Sequence, residues 1–212
     1  LAIIRISGED LEPLFQILTK NKPIKDRFST FSSIYCPNTQ ETLDNGIIIY
    51  FKAPNSFTGE DLIEINCHGG EYISTSILNS LFAYSIRPAN PGEFSFRAFM
   101  NGKIDLTQAE AISELIYSKS AKAVKNNLNS INGYVSNYVD KLRDDIINLL
   151  SILEHELDFT EEEIDGTRYE KIVFELNQIN DSILKIVNTS AMGKMLSSGV
   201  RVVLFGPPNA GK

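Results

Sequence analysis

Apolar positions along the chain follow two rhythms. In the first hundred residues they come in short runs closed by turn residues. Ile3, Ile4 and Ile6 stop at Ser7 and Gly8, which suits a short strand, and a brief helix is expected over 9–20. A β-branched run from Gly46 to Phe51 ends at Ala53-Pro54-Asn55. Leu62-Ile63-Glu64-Ile65-Asn66-Cys67 then alternates apolar and polar at period two, so two further strands flank a turn. Past His68-Gly69-Gly70, the residues Ile73, Ile77, Leu78 and Leu81 recur at helical spacing, and Pro88, Pro91 and Gly92 break regular structure over Arg87 to Phe94. The order strand, helix, strand, strand, helix predicts an α+β domain.

Near residue 105 the rhythm changes. Thr107-Gln108-Ala109-Glu110 fits a capping box, in which a Thr hydroxyl accepts from an early amide and the Glu reaches back to the capping residue's N–H. From Ile112 through Leu128, Tyr138 and Leu149 to Leu157, apolar residues step at threes, fours and sevens without a proline. This predicts one or two long amphipathic helices. The acidic stretch Asp158 to Asp165 interrupts the stripe, and Tyr169, Ile172, Leu176, Ile179, Ile183 and Ile186 resume it. Such helices bury their stripe against partners, so an all-α bundle arm is expected. A last β-branched run, Val200 to Phe205, opens onto Gly206 as a strand.

Composition narrows the picture. The 212 residues are 42% hydrophobic, enough for one core or two modest ones, which argues against disorder. With 27 acidic against 20 basic residues the formal charge is -7, so the overall field repels a nucleic-acid backbone and any RNA contact must be local. Cys36 and Cys67 form neither a disulfide framework nor a zinc pattern, and no stretch approaches the roughly 18 to 20 apolar residues of a membrane span. A soluble cytoplasmic protein is the expectation, with no membrane partner.

Gly206-Pro207-Pro208-Asn209-Ala210-Gly211-Lys212 matches GxxxxGK. A tight glycine loop surrounds phosphate oxygens with backbone amides and a lysine neutralises them, and the preceding apolar run supplies the strand-to-loop junction this needs. The Ser or Thr that ligates magnesium belongs at the next position. The sequence starts at Leu1 and stops inside this motif, so a fragment of a longer protein is expected, one that neither binds nor hydrolyses nucleotide well by itself.

Several segments in order carry a resemblance: Ile3-Ile4-Arg5-Ile6-Ser7-Gly8, Ala53-Pro54-Asn55-Ser56-Phe57-Thr58-Gly59-Glu60-Asp61, Glu64-Ile65-Asn66-Cys67-His68-Gly69-Gly70, Pro91-Gly92-Glu93-Phe94-Ser95, Asn101-Gly102-Lys103-Ile104-Asp105-Leu106-Thr107-Gln108-Ala109-Glu110-Ala111, and the phosphate-binding loop. Together they resemble the MnmE (TrmE) family of tRNA-modifying GTPases over essentially the whole chain. The resemblance implies an α+β folate-binding domain, aminomethyltransferase-like, that also forms a homodimer, over 1–116. It implies the first part of an all-α helical domain over 117–198 and the start of an inserted Ras-like α/β G domain over 199–212. In this family GTP hydrolysis, with Mg2+ and stimulated by K+, is coupled to modification of the C5 position of the wobble uridine of certain tRNAs to carboxymethylaminomethyl or aminomethyl forms. The work is done in a heterotetramer with the FAD-dependent protein MnmG, and a tetrahydrofolate derivative (5-formyl- or 5,10-methylene-tetrahydrofolate) supplies the carbon.

Carried over by position, Arg5, Glu64 and Lys103 match folate-contacting residues. A carboxylate such as Glu64 suits the amino and ring N–H groups of a pterin, and Arg5 and Lys103 suit carboxylate or carbonyl oxygens. Asn209, Ala210, Gly211 and Lys212 match GTP-binding positions, with Asn209 also a potassium ligand, and no catalytic residue falls in this stretch. His68 reads as a structural residue holding its loop, and the run Glu161-Glu162-Glu163 as a solvated face. The family's C-terminal cysteine has no counterpart in Cys36 or Cys67. Two other readings compete: a folate-binding dimerisation module of a regulatory GTPase without a direct part in the tRNA chemistry, and a generic GTPase whose N-terminal extension targets another assembly.

Overall fold

The computed structural model describes residues 1–157 and 166–198 together with Val203, Phe205 and Gly206. It divides into two compact units, Leu1–Ala109 and Glu110–Lys212.

In the first unit, strands β1 (Ala2–Gly8), β2 (Thr30–Tyr35), β3 (Thr42–Phe51) and β4 (Asp61–Cys67) form one antiparallel sheet in the order β1-β4-β3-β2. Side chains alternate across a strand. Ile4, Ile6, Ile34, Ile48, Tyr50, Ile63 and Ile65 therefore fall on one face, where α1 (Glu12–Thr19) and α2 (Glu71–Ala83) seal them with Leu14, Phe15, Leu18, Ile77 and Leu81. Phe15 packs edge-on to Tyr50, with ring centroids 5.7 Å apart.

Three elements depart from the pattern reading. Strand β2 was not anticipated because Thr30-Phe31-Ser32-Ser33-Ile34-Tyr35 is half polar; Ser32 is buried opposite Gly46, where two small residues let the strands close. Strand β3 begins at Thr42 rather than Gly46, with Asp44 and Asn45, poor strand formers, engaged through their side chains. The segment expected to break regular structure turns at Gly92 (φ 77°), a left-handed backbone that glycine adopts freely, and at once starts α3 (Glu93–Met100).

The chain continues through α4 (Leu106–Ile116), α5 (Ala121–Ile131), α6 (Tyr134–Leu157) and α7 (Gly166–Ser198). The expected capping box sits two residues early. Asp105 caps the Gln108 amide at 2.9 Å, and the Gln108 side chain returns to the Asp105 amide at 2.9 Å. Where one or two long helices were expected over 107–157 there are three, because the breaks use a Ser120 cap, accepting from the Ala123 amide at 3.1 Å, and Gly133 (φ 82°) in place of proline. Helices α5, α6 and α7 pack on one another around Ala123, Leu149 and Ile172, and the Tyr138 hydroxyl donates to the Ser182 carbonyl at 3.2 Å. The acidic stretch 158–165 lies outside the described residues, as does the expected strand over 200–205 except Val203 and Phe205.

Candidate functional site

The sheet face opposite the core carries Ile3, Arg5, Ser7, Ile47, Ile49, Glu64 and Asn66, the complementary phase of the same alternation. Arg5 and Glu64 are direct cross-strand partners, and Arg5 Nε donates to Glu64 Oε2 at 3.0 Å. Asn66 Nδ2 donates to Oε1 at 3.4 Å. Glu64 is mostly buried (16% exposed) while Arg5 is open (56%), so the carboxylate is fixed in place with acceptor capacity to spare. It lines a hollow of about 320 Å3 with Asn45, Gly46, Ile47, Ile49 and Asn66. A Cβ on Gly46 would come within 2.2 Å of the Asn66 carbonyl oxygen, so glycine alone permits this strand approach.

The loop before β4 is cross-braced by its own side chains. Ser56 Oγ donates to the Glu60 carbonyl at 2.5 Å and accepts from the Gly59 amide at 2.9 Å. The fully buried Thr58 hydroxyl shares a hydrogen bond with Ser7 Oγ at 2.6 Å, and Ser7 donates to Glu60 Oε2 at 3.0 Å. Asp61 accepts from the Tyr50 hydroxyl (2.6 Å), the Ala53 amide (2.9 Å) and the Leu11 amide (3.2 Å). Burial alone would raise the Asp61 carboxyl; these donors outweigh it and hold it below its ordinary value. Burial, reinforced by Asp61, pushes the Tyr50 hydroxyl well above its usual range.

Lys103 meets this loop from the far side. Its Nζ donates to the Pro54 carbonyl at 3.0 Å, its stem lies beside Gly59 (φ 81°), and Nδ2 of the neighbouring Asn101 donates to the Thr58 carbonyl at 2.7 Å. An ion ladder completes the frame: Glu93 accepts from Arg87, from the Asn90 amide at 2.8 Å and from Arg97, and Arg97 extends to Glu60 at 2.7 Å. The Arg87 guanidinium first, then the Asn90 amide and Arg97, hold the Glu93 carboxyl far below the usual carboxylate range, and Glu93 with Glu60 raises Arg97. Beside it a second cavity of about 420 Å3 is lined by Arg5, Arg87, Glu93 and Arg97 with apolar residues of β1 and α2.

Arg5 and Glu64 are thus brought into contact, whereas Lys103 bonds to the Pro54 carbonyl and lines neither hollow. Asn209, Ala210, Gly211 and Lys212 lie outside the described residues. His68, read as a loop-holding residue, has an acidic partner distant in sequence: its amide donates to Asp44 Oδ2 at 2.8 Å and its Nδ1 lies 2.9 Å from Oδ1. The pattern reading missed Asp44, Asp61 and the Ser7–Thr58 bond, and only the SFTGED string hinted at the second and third. Cys36 and Cys67 are buried and free. Among the described residues no cluster of His, Cys, Asp and Glu suits a metal ion, and no helix is long and apolar enough to cross a membrane.

Comparison with known proteins places both units. Residues 1–103 match the family model "GTP-binding protein TrmE N-terminus", and residues 106–201 match "MnmE helical domain". The chain is 42% identical over 212 residues to the tRNA modification GTPase MnmE of Francisella philomiragia, covering all of this chain and 46% of that protein. It is 42% identical over 213 residues to the MnmE of a Sulfurovum species and 39% identical over 212 to that of Aliarcobacter butzleri, covering 47% of each. The chain spans just under half the length of these relatives.

Proposed function

The chain belongs to the MnmE (TrmE) family, carrying its N-terminal and helical domains, and on that premise we propose that the whole protein is the GTP-hydrolysing component of a folate-dependent complex that modifies C5 of the wobble uridine in certain tRNAs. In this reading it acts in the cytoplasm as a homodimer, partnered by an MnmG-type FAD protein. In this reading Asn209, Ala210, Gly211 and Lys212 would hold the GTP phosphates, Asn209 would also hold K+, and Mg2+ would neutralise phosphate charge during hydrolysis.

The observation that carries the proposal is the Arg5–Glu64 pair, opposed at 3.0 Å on the open sheet face. Its chemistry suits a pterin: Glu64 is oriented by Arg5, keeps free lone pairs, and stands over a floor of Gly46, Ile47 and Ile49 against which a flat ring lies. A bound tetrahydrofolate derivative supplies the one-carbon unit. The chain's own residues bind and orient it: Glu64 accepts from ring and amino N–H groups, Arg5 offers its exposed guanidinium edge to an oxygen, and Lys103, held on the Pro54 carbonyl outside the hollow, meets a carboxylate or carbonyl of the part of the ligand that extends beyond it.

Glu64→Gln and Lys103→Ala in the full-length protein are expected to weaken 5-formyltetrahydrofolate binding by about tenfold or more, the effect of losing a charge-assisted hydrogen bond. Unchanged affinity in calorimetry removes the site assignment. The rival reading, a folate-binding switch with no part in the chemistry, is separated by tRNA modification in cells carrying a hydrolysis-dead G domain, since a pure scaffold still supports it.

A further inference from the structure

We propose that His68 is a second ligand-contacting hydrogen-bond acceptor of the hollow that Glu64 lines, kept in its accepting tautomer by Asp44. The proposal rests on the folate reading of that hollow and deepens it. Strands β3 and β4 are neighbours, and Asp44 and His68 stand at the same end of the pair: Asp44 on β3, His68 one residue past the end of β4. Two bonds tie them. The His68 amide donates to Asp44 Oδ2 at 2.8 Å, and the ring Nδ1 lies 2.9 Å from Oδ1 and 3.1 Å from Oδ2. The amide contact alone is enough to close the loop; the ring contact does something more.

The Asp44 carboxylate is only 10% exposed. Burial would raise it, but the His68 amide and ring and the Asn45 amide hold it below its ordinary value, so it stays ionised near neutrality. An ionised carboxylate only accepts, so Nδ1 must carry the ring proton. In the neutral imidazole Nε2 is then an acceptor, and the ring, 69% exposed, leaves it open.

Its surroundings give that acceptor something to bind. His68 lines the same hollow as Glu64 and Asn66. The hollow therefore offers two acceptors of different kinds, a carboxylate and an imidazole nitrogen, beside the apolar side chains of Ile47 and Ile49. A flat heterocycle whose edge is rich in N–H donors, such as an aminopyrimidinone ring, matches this arrangement: one N–H donates to Glu64 and a second donates to His68 Nε2.

The test uses full-length protein and 5-formyltetrahydrofolate, and exploits two amides that each copy half of a histidine. In His68→Asn the side-chain amide sits where Nδ1 was and keeps the Asp44 bond while Nε2 is lost. In His68→Gln the amide reaches the Nε2 position and gives up Asp44. We expect His68→Asn to bind about tenfold more weakly with an unchanged urea midpoint. His68→Gln regains affinity while its midpoint falls. Affinity equal to the parent in His68→Asn, with Glu64→Gln weakened, overturns the proposal and leaves the folate reading standing. A midpoint loss that tracks the affinity loss in both variants marks a structural residue and also overturns it. Absence of binding by the parent protein removes both.

Discussion

The two units bury their apolar residues to very different degrees. In the sheet unit Leu18, Ile34, Ile48, Ile63, Ile65 and Ile77 are all 0% exposed, closed between one sheet face and two helices. In the helical unit, among the described residues, Leu149 and Ile172 are the large buried side chains, while Ile147, Leu150, Phe174 and Val187 stand more than half exposed. The contrast teaches where a site is held rigidly: Glu64 is flanked in β4 by Ile63 and Ile65, so its position is fixed by the closed core on the other side of the same strand.

Truncation tests the contrast most severely. Ile65→Ala deletes fully buried methyl groups and is expected to cost the sheet unit about 2–5 kcal/mol, with loss of folate affinity as β4 loosens. Ile147→Ala, 51% exposed in α6, is expected to fall within about 0.5 kcal/mol of the parent. Urea unfolding followed by circular dichroism measures both. Equal losses at the two positions would abolish the distinction between the units.

A polar knot gives the sheet unit a pH signature that sharpens it. Asp61 is depressed in the fold, so its contribution is complete above about pH 5 and drains away as the pH falls through its lowered value, below the ordinary 3.9 or so. Tyr50 is raised, so its contribution is complete below about pH 10 and is lost as the pH rises beyond. Asp61→Asn is expected to cost about 1–3 kcal/mol at pH 7, from three donors left badly matched, and the gap to the parent narrows towards pH 3. Urea midpoints between pH 3 and 8 follow it; a constant gap would show that the Asp61 charge contributes nothing.

The same contrast explains what could be read in the sequence. Apolar runs closed by turn residues marked β1 and the second half of β3, and alternation marked β4 with Glu64 on its polar phase, whereas Arg5 was picked out by the family resemblance. The apolar pattern missed β2, whose Ser32 and Ser33 are matched to Gly46 and Asn45 of a strand distant in sequence. It also missed the Asp44–His68 pair, since period two carries no information about which polar residues meet across strands. In the helical stretch the stripe was legible but its breaks were not: Ser120 starts α5 by capping its first turn and Gly133 follows α5 with a left-handed backbone, and neither interrupts the apolar spacing.

A modest expected effect probes those breaks. Ser120 Oγ accepts from the Ala123 amide at 3.1 Å, satisfying one of the donors that the first turn of α5 leaves without a helical partner. Ser120→Ala removes that acceptor from an exposed position, so an amide turns to water and the cost is about 1 kcal/mol, less than either change in the sheet unit. Its value lies in where the loss appears. Buried Ala123 and Asn127 both belong to α5, and Asn127 Nδ2 donates to Ser118 Oγ at 3.0 Å, so fraying from Ser120 reaches the few residues that pack this unit. Amide exchange in the full-length protein is expected to quicken across α5 while β1, β3 and β4 keep their protection. Faster exchange spread evenly over the sheet strands would mean that the two units unfold as one, and the difference in burial would then have no thermodynamic consequence.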